Sequence, residues 1–210
     1  MTEYQLHCFA QSGNAYKPAL MLNLCGADWE PIFVDFMNGA HRTDEYRETN
    51  TMAEVPVLDH GDVRMSQSGV MLDYLAEKFG KFGPESEAEK REIWRWILYD
   101  NHKFTSYMGT FRFLTHFLKQ ESAATEFLKG RRDIALGTAE KHLEGHDFMA
   151  ANRPTIADIS MVGYIYYDGE HPGLDWADYP NIDAWRGRIK ALPGWEHPYD
   201  LMPGHPLPGA

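Results

Sequence analysis

The order in which the hydrophobic period changes along this chain constrains its fold more than any other feature. Short β-type runs fill the first eighty or so residues, and helical periods take over after them. YQLHCF (4–9) reads as a strand. The polar break AQSGN separates it from AYKPALMLNLCG, a helix carrying Leu20, Leu22 and Leu24 and stopped by Gly26. Pro18 falls near the start of that helix, where a missing N–H is tolerated. PIFVDF (31–36) is a second strand, and TDEYRETN (43–50) is a short polar helix. VPVLDHGDVRM predicts a hairpin turning at His60–Gly61–Asp62. SQSGVMLDYLAEKFG returns to helical spacing through Val70, Leu72, Tyr74, Leu75 and Phe79 and ends at Gly80.

That order, β–α–β–α–β–β–α, is the layout of a thioredoxin-like domain. KFGPESE (81–87) is a polar linker containing Gly and Pro. Beyond it a long helical pattern runs from Ser86 to about Leu118, followed by a helix over Ala123–Leu143. Thr155 and Asp158 form a capping box that opens a third helix, and Asn181–Leu192 is a fourth, stopped by Pro193–Gly194. The tail from Pro198 is rich in Pro and Gly and reads as an extended surface segment. The fold class is therefore an α/β thioredoxin-like N-terminal domain (1–80), a linker (81–87) and an all-α helical-bundle C-terminal domain with its tail (88–210).

Charge and composition narrow the partners. With 31 acidic against 20 basic residues, the net charge of −11 opposes phosphate backbones and anionic lipid alike. No apolar run approaches the length of a membrane helix, and the opening MTEYQLHCFAQSG lacks the basic and apolar regions of a signal peptide. Two unpatterned cysteines, Cys8 and Cys25, make neither a disulfide framework nor a zinc site. The expectation is a cytoplasmic protein with no nucleic-acid or membrane partner. His142 and His146 have a helical metal-binding spacing but no clear third ligand, so no metal is expected.

Four segments carry a resemblance that spans essentially the whole chain. They are SGNAYK (12–17) after the first strand, EVPVL (54–58), SQSGV (66–70), and RPTIAD (153–158) together with YPNIDAWRGRIKALPGW (179–195). In this order and spacing they resemble the cytosolic glutathione S-transferases, and the Ser-containing loop is similar to that of theta, nu and many bacterial members. The resemblance implies a homodimer that uses glutathione as co-substrate and joins its thiolate to a small apolar electrophile.

Residue by residue, the resemblance makes Ser12 the catalytic group, with Asn14 as a second donor near the sulfur. A hydroxyl at a strand–helix junction can donate a hydrogen bond to sulfur, and the helix N-terminus adds positive potential. Both favour thiolate over a thiol whose free pKa is about 8.5. Either residue could instead merely cap the helix. Pro56 is cis in this family, which exposes the Val55 backbone for antiparallel pairing with the cysteinyl unit. Gln67 and Ser68 open a helix where side chains and free N–H groups can take the γ-glutamyl carboxylate. His41 resembles a theta-type residue that meets the glycyl carboxylate, with Arg42 beside it.

The second-substrate pocket is expected at Tyr107 and Phe111, and Asp100 is a candidate for the glutathione amino group across a dimer interface. Neither cysteine occupies the loop position of a catalytic thiol, which Ser12 and Ala15 hold. Glu54 departs from the pattern of many family members, which carry Lys, Arg or Gln there facing the glycyl end, and a carboxylate at that position is expected to repel the ligand's own. Two other readings stand beside conjugation. One is a glutathione-dependent disulfide or peroxide reductase of the nu type. The other is a non-catalytic binding or scaffold protein, since fold alone does not settle activity.

Overall fold

The computed structural model describes residues 2–207. They divide into two compact units, 2–81 with 193–207, and Phe82–Leu192. In the first, β1 (Tyr4–Cys8), α1 (Gly13–Cys25), β2 (Trp29–Phe33), α2 (Asp44–Thr49), β3 (Val57–His60), β4 (Val63–Ser66) and α3 (Ser68–Phe79) follow one another. The sheet order is β2–β1–β3–β4, with β1 and β2 parallel and both other pairs antiparallel. This is the thioredoxin-like arrangement that the β–α–β and hairpin pattern predicts.

Alternation along β1 explains its packing. Tyr4, Leu6 and Cys8 point into the core, while Gln5 and His7 lie on the other face. On that face His7 Nε2 lies 3.0 Å from Asp59, which also takes Arg64 Nε at 2.6 Å. Pro31 sits inside β2, which is tolerable because β2 is an edge strand. α3 buries Met71, Leu72, Leu75 and Ala76, a helical face, whereas α1 is buried almost all round. α1 begins at Gly13, two residues earlier than expected, so Pro18 falls inside the helix and its missing N–H frees the Asn14 carbonyl.

The tail departs from the sequence expectation, which places it with the helices as an extended segment. Residues from Pro193 onward group instead with the sheet unit, and they include a short helix, α9 (Pro198–Leu201). The reason is a series of hydrogen bonds along α1. The Gly194 carbonyl accepts from Asn23 Nδ2 at 2.7 Å and the Glu196 carbonyl from the Tyr16 hydroxyl at 2.8 Å. Further on, the Pro203 carbonyl accepts from Ala10 N–H and the Gly204 carbonyl from Gln11 Nε2, both at 2.7 Å. Gly204 is required at its position: at φ 95°, a Cβ would lie 2.6 Å from the Phe33 ring.

The second unit is helical: α4 (Glu87–Tyr99), α5 (Thr105–Arg112), α6 (Ala123–Leu143), α7 (Ile156–Met161) and α8 (Pro180–Lys190). The long pattern over 86–118 is one run of helix that widens into π-turns at Asp100–Phe104 and Phe113–Phe117. The expected linker also joins this unit from Phe82 onward. The Phe82 carbonyl accepts from Ile156 N–H at 2.9 Å, and Arg153 bonds Glu85 and Glu89. The Thr155–Asp158 capping box forms as its spacing predicts.

Candidate functional site

Strand register brings the sequence candidates of the first unit to one end of the sheet. β1 ends at Cys8, and Ser12 follows after a short turn. Val57 pairs with His7 on one side and Ser66 on the other. Val55–Pro56 and Gln67–Ser68 adjoin those paired ends directly in sequence. The parallel partner β2 also ends here, leading to Phe36 and the 3-10 turn Ala40–Arg42. Ser12, Val55–Pro56, Gln67–Ser68 and His41 thus issue from adjoining strand ends, although they are far apart in sequence.

Ser12 is the N-cap of α1 and is buried, at 6 % exposure. Its Oγ accepts from Ala15 N–H at 3.2 Å. This capping role does not exclude a catalytic one, because a hydroxyl that accepts still has its proton to donate. Asn14 is half-buried on the first turn of the same helix, and its side chain has no hydrogen-bond partner among the described residues. Cys8 is fully buried, and burial pushes its thiol up to about 12; Cys25 is pushed up to about 11, again mainly by burial. Neither thiol is a ready nucleophile.

The Val55–Pro56 peptide is cis. Val55 lies just outside β3, and its N–H and C=O have no partner among the described residues. That leaves one residue's worth of strand edge for an extended peptide. Ser68 is buried as the first residue of α3. Gln67 precedes it at φ 70°, an unusual angle for a side chain-bearing residue, and its side chain makes no cap. Instead Gln67 Nε2 donates to Glu54 Oε2 at 3.2 Å and also contacts Met52 sulfur at 3.2 Å.

His41 is buried. Its ring stacks on Phe36 at 3.7 Å, and Phe36 stacks on Phe9 at 4.7 Å. Arg42 Nε–H donates to His41 Nε2 at 3.2 Å, which assigns the proton to Nδ1. Burial first, then the Arg42 charge, holds the imidazole pKa below its usual value. Burial thus favours the neutral form of His41, and Arg42 beside it is exposed.

The candidates in the helical unit differ in exposure. Tyr107 is half-buried, and its phenol oxygen accepts from Arg131 at 3.4 Å and Lys103 at 3.5 Å, which lowers its pKa. Phe111 belongs to the core at 3 % exposure, with the Arg132 guanidinium 4.7 Å from its ring. Asp100 is fully buried and accepts from Ser160 Oγ at 2.6 Å, so it does not reach out to a ligand or another subunit. His142 and His146 stack on each other and bond backbone carbonyls, and no metal-ligating cluster occurs among the described residues. The sequence reading missed the Glu54–Gln67 pair and the tail's bonds to Ala10 and Gln11. The only signal for the former was Glu54 standing out of pattern.

Comparison with known proteins bears on both units. Residues 4–77 match the family model for the glutathione S-transferase N-terminal domain, and residues 102–193 match that for the C-terminal domain. Glutathione S-transferase F14 of Arabidopsis thaliana is 26% identical, over 99% of this chain and 89% of its own. The disulfide-bond oxidoreductase YghU of Escherichia coli is 28% identical over 83% of this chain, which spans 64% of that relative. A solved glutathione S-transferase from Pseudomonas fluorescens superposes with a TM-score of 0.87 at 28% identity, covering 93% of this chain and 98% of its own.

Proposed function

The chain belongs to the glutathione S-transferase family, and from that premise we propose that it conjugates glutathione to a small apolar electrophile, with Ser12 stabilising the thiolate. The observation that carries this reading is the convergence, at one sheet end, of a capped helix N-terminus bearing Ser12 and an unpaired strand edge at Val55. The cysteinyl unit pairs with the Val55 N–H and C=O. The γ-glutamyl carboxylate takes the donors of Gln67, Ser68 and the first turn of α3. Arg42, backed by neutral His41, faces the glycyl carboxylate.

Ser12 Oγ keeps its bond from Ala15 N–H and donates its own proton toward sulfur, with Asn14 as a further donor. The positive end of α1 acts in the same sense. The thiol proton passes to solvent, the thiolate forms a C–S bond to the electrophile, and the leaving group departs with its electron pair. Tyr107, half-buried in the helical unit, is the residue proposed to meet the second substrate. The setting proposed is a homodimer in the cytoplasm. No helix among the described residues is long and apolar enough to cross a membrane.

A second reading is glutathione-dependent disulfide reduction, favoured by the likeness to the YghU oxidoreductase. With Cys8 buried and its thiol pKa pushed up, two glutathione molecules supply both electrons. One glutathione thiolate attacks the substrate disulfide and displaces one substrate thiolate, and a second attacks the glutathione sulfur of the mixed disulfide, releasing the other substrate thiolate and oxidised glutathione.

Calorimetric titration of glutathione into wild type and Ser12→Ala, beside a chlorodinitrobenzene conjugation assay, tests the main reading. Ser12→Ala is expected to keep binding and lose roughly 100-fold in rate, the scale of one lost oxyanion-type donor. Equal rates for the two proteins would remove Ser12 from the chemistry. No heat from wild type at millimolar glutathione would leave the scaffold reading standing.

A further inference from the structure

The glutathione reading of residues 54–68 leaves one ligand charge without a partner. The γ-glutamyl end is a free α-amino acid, with a carboxylate and an ammonium on one carbon. The N-terminus of α3 supplies donors, which suit the carboxylate, and the neutral amide of Gln67 brings no charge to balance the ammonium. Asp100, the sequence candidate for the ammonium, is sealed in the helical unit on Ser160.

Glu54 has both the charge and the fixed position. Its carbonyl accepts from Asn50 Nδ2 at 2.8 Å and from the Tyr46 hydroxyl at 3.0 Å. Asn50 is itself buried, and its Oδ1 accepts from Met52 N–H at 3.1 Å. Ala53, at φ 54°, turns the chain into Glu54. Four residues thus fix the backbone from which the carboxylate projects.

Direction then decides what the carboxylate meets. A peptide paired antiparallel to Val55 runs with its N-terminal side toward Pro56 and its C-terminal side toward Glu54. Val57 pairs with Ser66, so Gln67, the next residue, adjoins the Pro56 end, which is the N-terminal side of that peptide. The Glu54 backbone therefore adjoins the glycyl end, yet its Oε2 lies 3.2 Å from Gln67 Nε2, at the γ-glutamyl end. An ionised carboxylate has about four acceptor sites, so the bond from Gln67 leaves room for an ammonium.

We propose that Glu54 is the acceptor for the ligand's α-ammonium and makes the site selective for peptides that keep a free α-amino acid terminus. The assignment rests on the glutathione reading above. It reverses the expectation that a carboxylate here opposes binding, because the side chain turns away from the glycyl carboxylate.

The test is calorimetry of the full chain and its Glu54→Gln variant with two ligands: glutathione, and glutaryl-Cys-Gly, which lacks only the α-amino group. Glutathione should bind Glu54→Gln about five-fold more weakly than wild type, the upper range for a solvent-exposed ion pair. The desamino peptide should bind both proteins alike. Equal weakening of both ligands would overturn the assignment in favour of a structural role. Tighter binding of glutathione by Glu54→Gln would overturn it in favour of repulsion at the glycyl end. If wild type binds neither peptide, the glutathione reading itself fails, and that result is separable from the others because it needs no variant.

Discussion

At the sheet end that carries Ser12, the Val55 backbone offers an N–H and a C=O that no described residue takes, and Ala53 and Gln67 sit at positive φ. In the helical unit Asp158 presents the opposite case. It is fully buried, yet its Oδ1 accepts from Met149 N–H and Trp185 Nε1–H, and its Oδ2 from the Thr155 N–H and hydroxyl, all at 2.8–3.0 Å. One region leaves polar groups open and backbone angles unfavourable, which is useful only if a ligand completes it. The other closes every bond of a buried carboxylate, which fixes α7 against α8 and the segment before it. The contrast separates residues arranged for binding from residues arranged for stability.

The sharpest way to break that contrast is to remove Asp158. Burial, the largest influence on this carboxyl, pushes its pKa up, and the four hydrogen bonds oppose that shift. Asp158→Ala strands the Met149, Thr155 and Trp185 donors in a dry interior. It is expected to cost about 3–5 kcal/mol, close to the whole margin of many domains. Urea denaturation followed by circular dichroism measures it. A loss under about 1 kcal/mol would show that the helical unit does not depend on closing these bonds.

Protonation tests the same region less severely. His171 is buried, donates through Nε2 to the Tyr164 carbonyl at 2.9 Å, and has its pKa pushed down to about 3 by burial and then by the Arg112 charge. In the unfolded chain this histidine titrates near 6.5. Between these values the unfolded state binds the extra proton, so stability falls as pH falls from about 6.5 toward 3, and the full contribution is present above that window. Wild type should lose about 3 kcal/mol through this group between pH 7 and pH 4. His171→Gln, which can donate to Tyr164 without titrating, should show a shallower pH slope in urea midpoints. Parallel slopes for the two proteins would mean that His171 is not the titrating group.

Much of this was readable in the residues, for identifiable physical reasons. The Thr155–Asp158 box, the hairpin turn at Gly61 and the Gly26 and Gly80 stops depend on neighbours within a turn or two, so local chemistry specifies them. Ser12, Val55–Pro56 and Gln67–Ser68 were visible as motifs, and strand register explains why they meet. What escaped depends on contacts that spacing does not encode. The tail's bonds to Ala10 and Gln11 join residues nearly the whole chain apart. The burial of His41 follows from its stack on Phe36 and Phe9, and that of Asp100 from its bond to Ser160. The side-chain direction of Glu54 depends on Gln67, whose own backbone angle no residue type predicts.

The mildest perturbation bears on the other side of the comparison. If the positive φ of Gln67 is held for binding, relieving it should help the fold and harm the site. Glycine adopts φ 70° without a Cβ penalty, so Gln67→Gly should stabilise the chain by about 1 kcal/mol. The lost bond to the exposed Glu54 offsets this by only a few tenths of a kcal/mol. Glutathione affinity should fall at the same time, because the variant lacks the side-chain amide and no longer steers Glu54. Stability rising while affinity drops would mark the sheet end as a region whose strain serves its ligand. If both fall together, the angle at Gln67 is already relaxed by its surroundings, and what sets the two regions apart is then the unpaired Val55 backbone alone.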